Sequence, residues 1–356
     1  MNTKIKWLRE KIKMRNMQAI IISNPYNIKY LTGIDAEGVL IIARKENFFL
    51  TDSRYLEEAK STLTIDDEII VIDISKISQE DYETFFIFCE NVGFEENYIT
   101  YAQYKDYMQK YKVHNFEETD YIIERQRMIK DEEEIAKIEK ACEITDKCFS
   151  YLLNYIKIGK TEKEIAEKIE EFFIDNGADE LAFETIVASG ENSSKPHAKI
   201  SDRKIELGDP IIIDMGCKYK GYCSDMTRTF FYKNVTQHQQ EVYHMVLKAN
   251  EEAEKAVTPG IPLSSLDQIA RGIITDKGYG SAFTHRLGHL IGLEDHEFGD
   301  VSSASADRAV PGNIFSIEPG IYLENDTGVR VEDLVLVTDH GHEILNHFSK
   351  ELTVID

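Results

Sequence analysis

The second half of this 356-residue chain echoes itself, and that echo restricts the fold more than any other feature. A helical segment opening at Thr161, where Thr-Glu-Lys-Glu forms a capping box, sits between Gly159 and Gly177. A second lies between Gly260 and Gly278, and both glycines, with the pair Asp175 and Asp276, are displaced by 101 residues. The strand-like runs that follow correspond as well. Gly208-Asp-Pro-Ile-Ile-Ile-Asp214-Met-Gly216 matches Gly312-Asn-Ile-Phe-Ser-Ile-Glu318-Pro-Gly320 with every anchor displaced by 104. Asp225 and Glu332 are displaced by 107, and His197 and His296 by 99. A duplicated α+β unit follows, whose halves face each other across a pseudo-twofold axis and bring Asp214, Asp225, Glu318 and Glu332 together.

Such a convergence is costly without a counter-charge. Asp214 ends the apolar run Pro210-Ile-Ile-Ile and Glu318 ends Ile314-Phe-Ser-Ile, so both sit on strands entering a core. An ionised carboxylate there costs several kcal/mol unless it is paired or bound to a cation. The nearby basic residues, Arg228 and Arg330, are too few to neutralise Asp214, Asp225, Glu318, Glu332 and Asp333 together. His289, within His285-Arg-Leu-Gly288-His289-Leu-Ile-Gly292, adds a nitrogen ligand. Four carboxylates and one imidazole suit two manganese, cobalt or iron ions better than a thiolate zinc site.

The rest of the chain differs in texture. Residues 1–130 hold three of the 20 glycines and one of the seven prolines, which predicts two domains of different architecture. In the first, short apolar runs (Ala19–Ile22, Val39–Ala43, Phe48–Thr51, with Arg44-Lys45-Glu46-Asn47 between the last two, and Glu68–Ile72) alternate with helical patterns at Ser53–Lys60 and Gln79–Glu90, giving a small α/β domain. A long helix is predicted over Lys130–Ile156, with Asp131 and three glutamates where the helix dipole favours them. The formal charge of −23 disfavours nucleic acid, and no run nears the roughly 18 apolar residues of a membrane span. Met1–Met17 reads as an amphipathic stretch rather than a signal peptide, and the odd count of five cysteines, without CxxC pairing, reads as reduced thiols. A cytoplasmic protein is expected.

In combination these motifs resemble the pita-bread metallopeptidases, a family that includes methionine aminopeptidase, Xaa-Pro aminopeptidase and Xaa-Pro dipeptidase (prolidase). His285-Arg-Leu-Gly-His and the closing Ser349-Lys-Glu-Leu look most like bacterial Xaa-Pro dipeptidases. The resemblance implies a creatinase-like N-terminal domain over 1–124 and a pita-bread catalytic domain over 125–356. It places the five metal ligands on Asp214, Asp225, His289, Glu318 and Glu332, with Asp225 and Glu332 bridging two divalent ions. Manganese is the expected metal, and cobalt, iron or zinc are alternatives. His197, His285 and His296 correspond to the family's active-site histidines.

The activity implied is hydrolysis of the peptide bond preceding proline. Glu318 would be general base, His296 would hydrogen-bond the oxyanion, and His197 and His285 would position the substrate. Arg330 would either fix the carboxylates or meet the substrate carboxylate, with Arg308 a weaker candidate for the second task. The substrate expected is a small peptide ending in or containing Xaa-Pro, and the assembly expected is a homodimer. A Xaa-Pro aminopeptidase acting on longer peptides would use the same centre, and a non-catalytic binding protein would show a lost ligand, which this chain does not. Leu290 departs from the family's usual glycine after the metal-binding histidine and would reshape the pocket floor.

Overall fold

The computed structural model describes residues 3–44, 46–63 and 68–356, which form two compact units that divide between Arg127 and Met128. Met1 and Asn2 of the N-terminal stretch and Lys45 of the polar turn lie outside the described residues.

The first unit is α/β, as the alternation of its runs predicts. Six strands lie in the order Ile69–Asp73, Asn47–Thr51, Val39–Ala43, Ala19–Ile22, Asn91–Phe94 and Asn115–Glu118. Ala19–Ile22 pairs antiparallel with Val39–Ala43 and parallel with Asn91–Phe94, and it is buried at every position, which accounts for an unbroken apolar run without alternation. The helix predicted over Gln79–Glu90 stops at Thr84. There the Thr84 hydroxyl donates to Asp81 O (2.7 Å), and a turn in which Ile87 N bonds Thr84 O follows, so a local side-chain bond competes with the helical ladder.

In the second unit the predicted long helix is Glu132–Tyr155, closed at its N-terminus by a capping box between Asp131 and Glu134. The duplication is present down to single hydrogen bonds. The helices Glu162–Asp175 and Leu263–Asp276 occupy the same places in the two repeats. Gly177 and Gly278, just past their ends, have φ of 89° and 88°, a conformation an L side chain would strain. Gly159 N bonds Ile205 O as Gly260 N bonds Ala309 O, and Glu162 N bonds Arg203 O as Leu263 N bonds Asp307 O. Each helix then leads to an antiparallel strand pair: Pro210–Met215 with Met226–Tyr232 in one half, and Ile314–Ile317 with Asp333–Val337 in the other. Separate apolar clusters support the halves, one around Phe149, Phe173 and Phe230 and the other around Phe231, Tyr243 and Phe315.

No helix among the described residues is long and apolar enough to cross a membrane. The five cysteines are free thiols, four of them buried.

Candidate metal centre

The strands place the acids and the threonine and arginine side chains hold them. Asp214 lies on Pro210–Met215 opposite Thr227 of the neighbouring strand. Asp225 and Glu332 fall in strand breaks, immediately before Met226–Tyr232 and Asp333–Val337, rather than within continuous strands. The two halves are tied there, because Glu332 N donates to Thr227 O (3.1 Å) and the Thr227 hydroxyl donates to Glu332 Oε2 (2.6 Å). Thr227 Oγ1 in turn accepts from Arg330 Nε (3.0 Å). His289 enters on the short strand Gly288–His289, which lies so close to Ser316 that a Cβ at Gly288 would stand 1.8 Å from Ser316 O. Ser316 Oγ accepts from His289 N (3.0 Å) and donates to Glu318 Oε1 (3.3 Å), which joins the histidine to the acid two residues further on.

Counter-charges are supplied to some of these acids and withheld from others. Arg330 Nη2 meets Asp214 Oδ2 at 2.6 Å. Fully buried Arg228 binds Asp333 Oδ1 (2.6 Å) and donates to Glu332 O (2.6 Å), while Lys350 takes Asp333 Oδ2 (2.9 Å). Asp225, Glu318 and Glu332 receive no Lys or Arg side chain among the described residues. Burial and then the neighbouring Asp214 raise the Asp225 carboxyl well above the carboxylate range, and burial and then Asp225 do the same for Glu332. Burial pushes Glu318 up to about 7.

The residues fit a divalent cation. His289 Nδ1 lies 3.2 Å from Leu290 O, so this nitrogen carries the proton, and burial lowers the pKa of the ring and keeps it neutral. Its Nε2 lone pair therefore points at Asp225 Oδ2 (3.4 Å) and Glu318 Oε1 (3.6 Å), acceptor against acceptor. Asp214 Oδ1 and Asp225 Oδ1 are buried without any hydrogen-bond partner. Ligand atoms of Asp225, His289 and Glu332 all lie within 4.8 Å of one another. A divalent cation satisfies these converging lone pairs together, and oxygen ligands with one imidazole are a donor set of that kind.

A cavity of about 510 Å³ takes in all five expected ligands together with His197, His285, His296 and Arg330. The His296 ring lies 3.9 Å from that of His289, centroid to centroid. His197 and His296 are exposed. His285 and Arg330 differ from the expected substrate contacts, because their polar atoms are already engaged within the protein. His285 Nδ1 donates to Arg286 O (2.8 Å), Nε2 lies 3.0 Å from the Tyr322 hydroxyl, and Arg330 Nη1 donates to that same hydroxyl (2.8 Å). Burial and Arg330 hold His285 neutral, with a pKa near 3. Tyr322, which escapes the sequence reasoning, is thus the link between the arginine and the histidine; its position four residues after Glu318 is the only trace it leaves. Arg308 lies outside the cavity lining and donates to Gly260 O (2.7 Å).

Leu290 does not form the pocket floor. It is fully buried in the apolar cluster of Phe315 and Ile317, bridges to Phe315, and is absent from the cavity lining. Its side chain packs in the core rather than against the cavity.

Comparison with known proteins gives a consistent result. The profile described as Metallopeptidase family M24 matches residues 136–339, and that described as Creatinase/Prolidase N-terminal domain matches residues 4–129. An uncharacterized peptidase of Staphylococcus aureus is 35% identical over 98% of this chain and 100% of its own length. Among solved structures, the prolidase from Pyrococcus horikoshii superposes with a TM-score of 0.93 at 36% identity, covering 99% of this chain and 100% of that one. The Xaa-Pro dipeptidase from Bacillus anthracis gives 0.94 at 32% identity, covering 99% of each. The X-Pro aminopeptidase from Thermotoga maritima gives 0.88 at 33% identity, covering 97% and 100%.

Proposed function

Since the chain belongs to metallopeptidase family M24, with a creatinase-type N-terminal domain and a pita-bread catalytic domain, we propose that it is a Xaa-Pro dipeptidase. The observation that carries the proposal is the convergence of buried ligand atoms of Asp225, His289 and Glu332 beside two carboxylate oxygens, Asp214 Oδ1 and Asp225 Oδ1, that have no hydrogen-bond partner. Two divalent ions, manganese foremost, would supply Lewis-acid polarisation of the scissile carbonyl and a nucleophilic water at neutral pH. Asp214, Asp225, His289, Glu318 and Glu332 would hold them.

The chain's own residues then divide the work. Glu318 takes the proton of the attacking water at a carboxylate oxygen and passes it towards the leaving nitrogen. His296 donates to the oxygen on which negative charge develops. His197 lies by the scissile nitrogen, which in an Xaa-Pro bond carries no hydrogen. His285 and Arg330, joined through Tyr322, shape the substrate wall and keep Asp214 in place rather than bonding the peptide directly. Free thiols support a cytoplasmic site of action, and a homodimer is the proposed assembly.

The likeness to an X-Pro aminopeptidase keeps a second reading in view, in which longer peptides are the substrate. Product analysis separates them. Purified protein with manganese is expected to release proline from Leu-Pro and to leave Leu-Pro-Pro intact; cleavage of the tripeptide alone would reverse the assignment, and absence of both bound metal and activity would indicate a binding protein.

A further inference from the structure

This inference rests on the dipeptidase reading, in which His197 stands by the scissile nitrogen, and concerns what holds that histidine in place. His197 is exposed in the cavity, and its ring has no hydrogen-bond partner of its own among the described residues. Its position is therefore set by the backbone that carries it. That segment leaves the strand Ile186–Ser189, turns through Gly190–Ser194 and continues past His197 to Ser201.

Both ends of the segment close on one side chain. Glu162, the first residue of the helix Glu162–Asp175, is 0% exposed. Its Oε1 accepts from Ser189 N (2.7 Å), Ser189 Oγ (2.9 Å) and Asn192 Nδ2 (3.1 Å), and its Oε2 accepts from Ser201 N (3.1 Å) and Ser201 Oγ (2.6 Å). Residues on either side of His197 are thus drawn to a single carboxylate that lies outside the cavity lining. The middle of the segment is held from the other repeat, where Gly328 N donates to Ser193 Oγ (2.8 Å) and Arg330 Nη1 to Pro196 O (3.2 Å).

The duplication shows that the fold by itself does not require this acid. At the displacement of 101 residues the counterpart of Glu162 is Leu263, which also opens its helix, is also 0% exposed and packs in an apolar cluster. The backbone bonds of the two positions match, Glu162 N to Arg203 O and Leu263 N to Asp307 O. A helix start in this place is therefore complete with leucine. The stretch that bears His296 is held by a different acid, since Glu297 Oε1 accepts from Leu293 N (3.0 Å) and Oε2 from Lys130 Nζ (3.0 Å). Each of the two histidines has its own buried acid behind it, at a position the repeat does not dictate.

We propose that Glu162 is a positioning residue of the peptidase, which fixes the 189–201 segment and so holds His197 against the substrate. Without it, five donor groups lose their buried acceptor, and the segment opens to satisfy them with water.

The test is a double-mutant cycle on metal-loaded protein with Leu-Pro, built from Glu162→Gln and His197→Ala. Glu162→Gln should lower kcat by about 10- to 100-fold, the cost of a misplacement of roughly 1 Å, with KM little changed and metal content as in wild type. The double variant should fall within about twofold of His197→Ala, because the two residues act as a unit. Losses that multiply, or wild-type kcat in Glu162→Gln, would overturn the assignment. Should Glu162→Gln fold poorly, Ser201→Ala, which takes one hydroxyl from Oε2, carries the same cycle with a smaller loss. Hydrogen exchange gives a readout apart from turnover: amides of 190–201 should exchange faster in Glu162→Gln while the strand Pro210–Met215 stays protected, and an unchanged segment would likewise overturn the proposal. Failure of wild type to cleave Leu-Pro would instead remove the dipeptidase reading, and the exchange measurement would still decide whether Glu162 holds the segment.

Discussion

Each unit buries carboxylates, and the surroundings of those carboxylates are opposite. In the first unit Glu95, 2% exposed, is met by donors: Ser23 N (2.6 Å), Asn24 N (2.9 Å) and Asn27 Nδ2 (2.7 Å). In the second, Asp225 and Glu332, 4% and 1% exposed, are surrounded mainly by other acceptors, and Asp225 Oδ1 has no partner. A buried acid enclosed by N–H groups is complete within the protein and serves the fold. A buried group of acids facing one another is complete only with a cation, and it stores an electrostatic cost that binding relieves. The same residue type therefore serves structure in one place and chemistry in the other, and the neighbours decide which.

The largest effect that could break this contrast is at Asp225. Asp225→Asn should lower peptidase turnover by on the order of a thousandfold, because Lewis-acid stabilisation is worth several kcal/mol, and elemental analysis should show metal lost. The variant should melt no lower than chelated wild type, since one of the mutually repelling charges is gone, and it should gain nothing on adding manganese, which should raise the melting point of wild type. Wild-type turnover in the variant would contradict a shared ligand.

A second, smaller effect concerns pH in the first unit. Burial, against its hydrogen bonds, lifts Glu95 from 4.5 to about 7. The folded form then binds the proton more tightly than the unfolded chain, so stability is fully present below about 4.5 and is lost as pH rises towards about 7. The decline should amount to about 3 kcal/mol across that window. Denaturant melts of wild type and Glu95→Gln from pH 4 to 8 check it: the variant should be flatter, and parallel curves would mean that Glu95 does not titrate there. The smallest effect sharpens the contrast within the centre. Thr227→Val removes the hydroxyl between Glu332 and Arg330 and should weaken metal affinity about 10- to 100-fold, measured by chelator competition, with the fold intact by circular dichroism.

That Asp214, Asp225, Glu318 and Glu332 meet in one cavity was legible in the sequence because duplication wrote them twice, at nearly constant displacement. Their shortage of basic partners was legible by counting. Thr227 and Tyr322 were not, since a threonine in Met-Thr-Arg-Thr or a tyrosine after Pro-Gly-Ile acquires its role only from partners about 100 and 37 residues away. Strand Asn91–Phe94 was missed for a different reason. Asn91 and Gly93 have weak strand preference, yet a Cβ at Gly93 would lie 2.8 Å from the Thr119 side chain, so tertiary packing selects the residue that local propensity disfavours. Leu290 erred the other way: a substitution conspicuous in the sequence proves to be core filling.

The doubled architecture has a consequence for the chain as a polymer. Asp214 and Asp225 belong to the first repeat, and His289, Glu318 and Glu332 to the second, so neither repeat holds the whole of the proposed ligand set. An ion held by both Asp225 and Glu332, as proposed, would act as a cross-link that closes a loop of 107 residues, much as a disulfide does. Unlike a disulfide, it would be undone by a chelator and re-made on adding metal, which would turn the tether between the repeats into a quantity set by the free metal concentration.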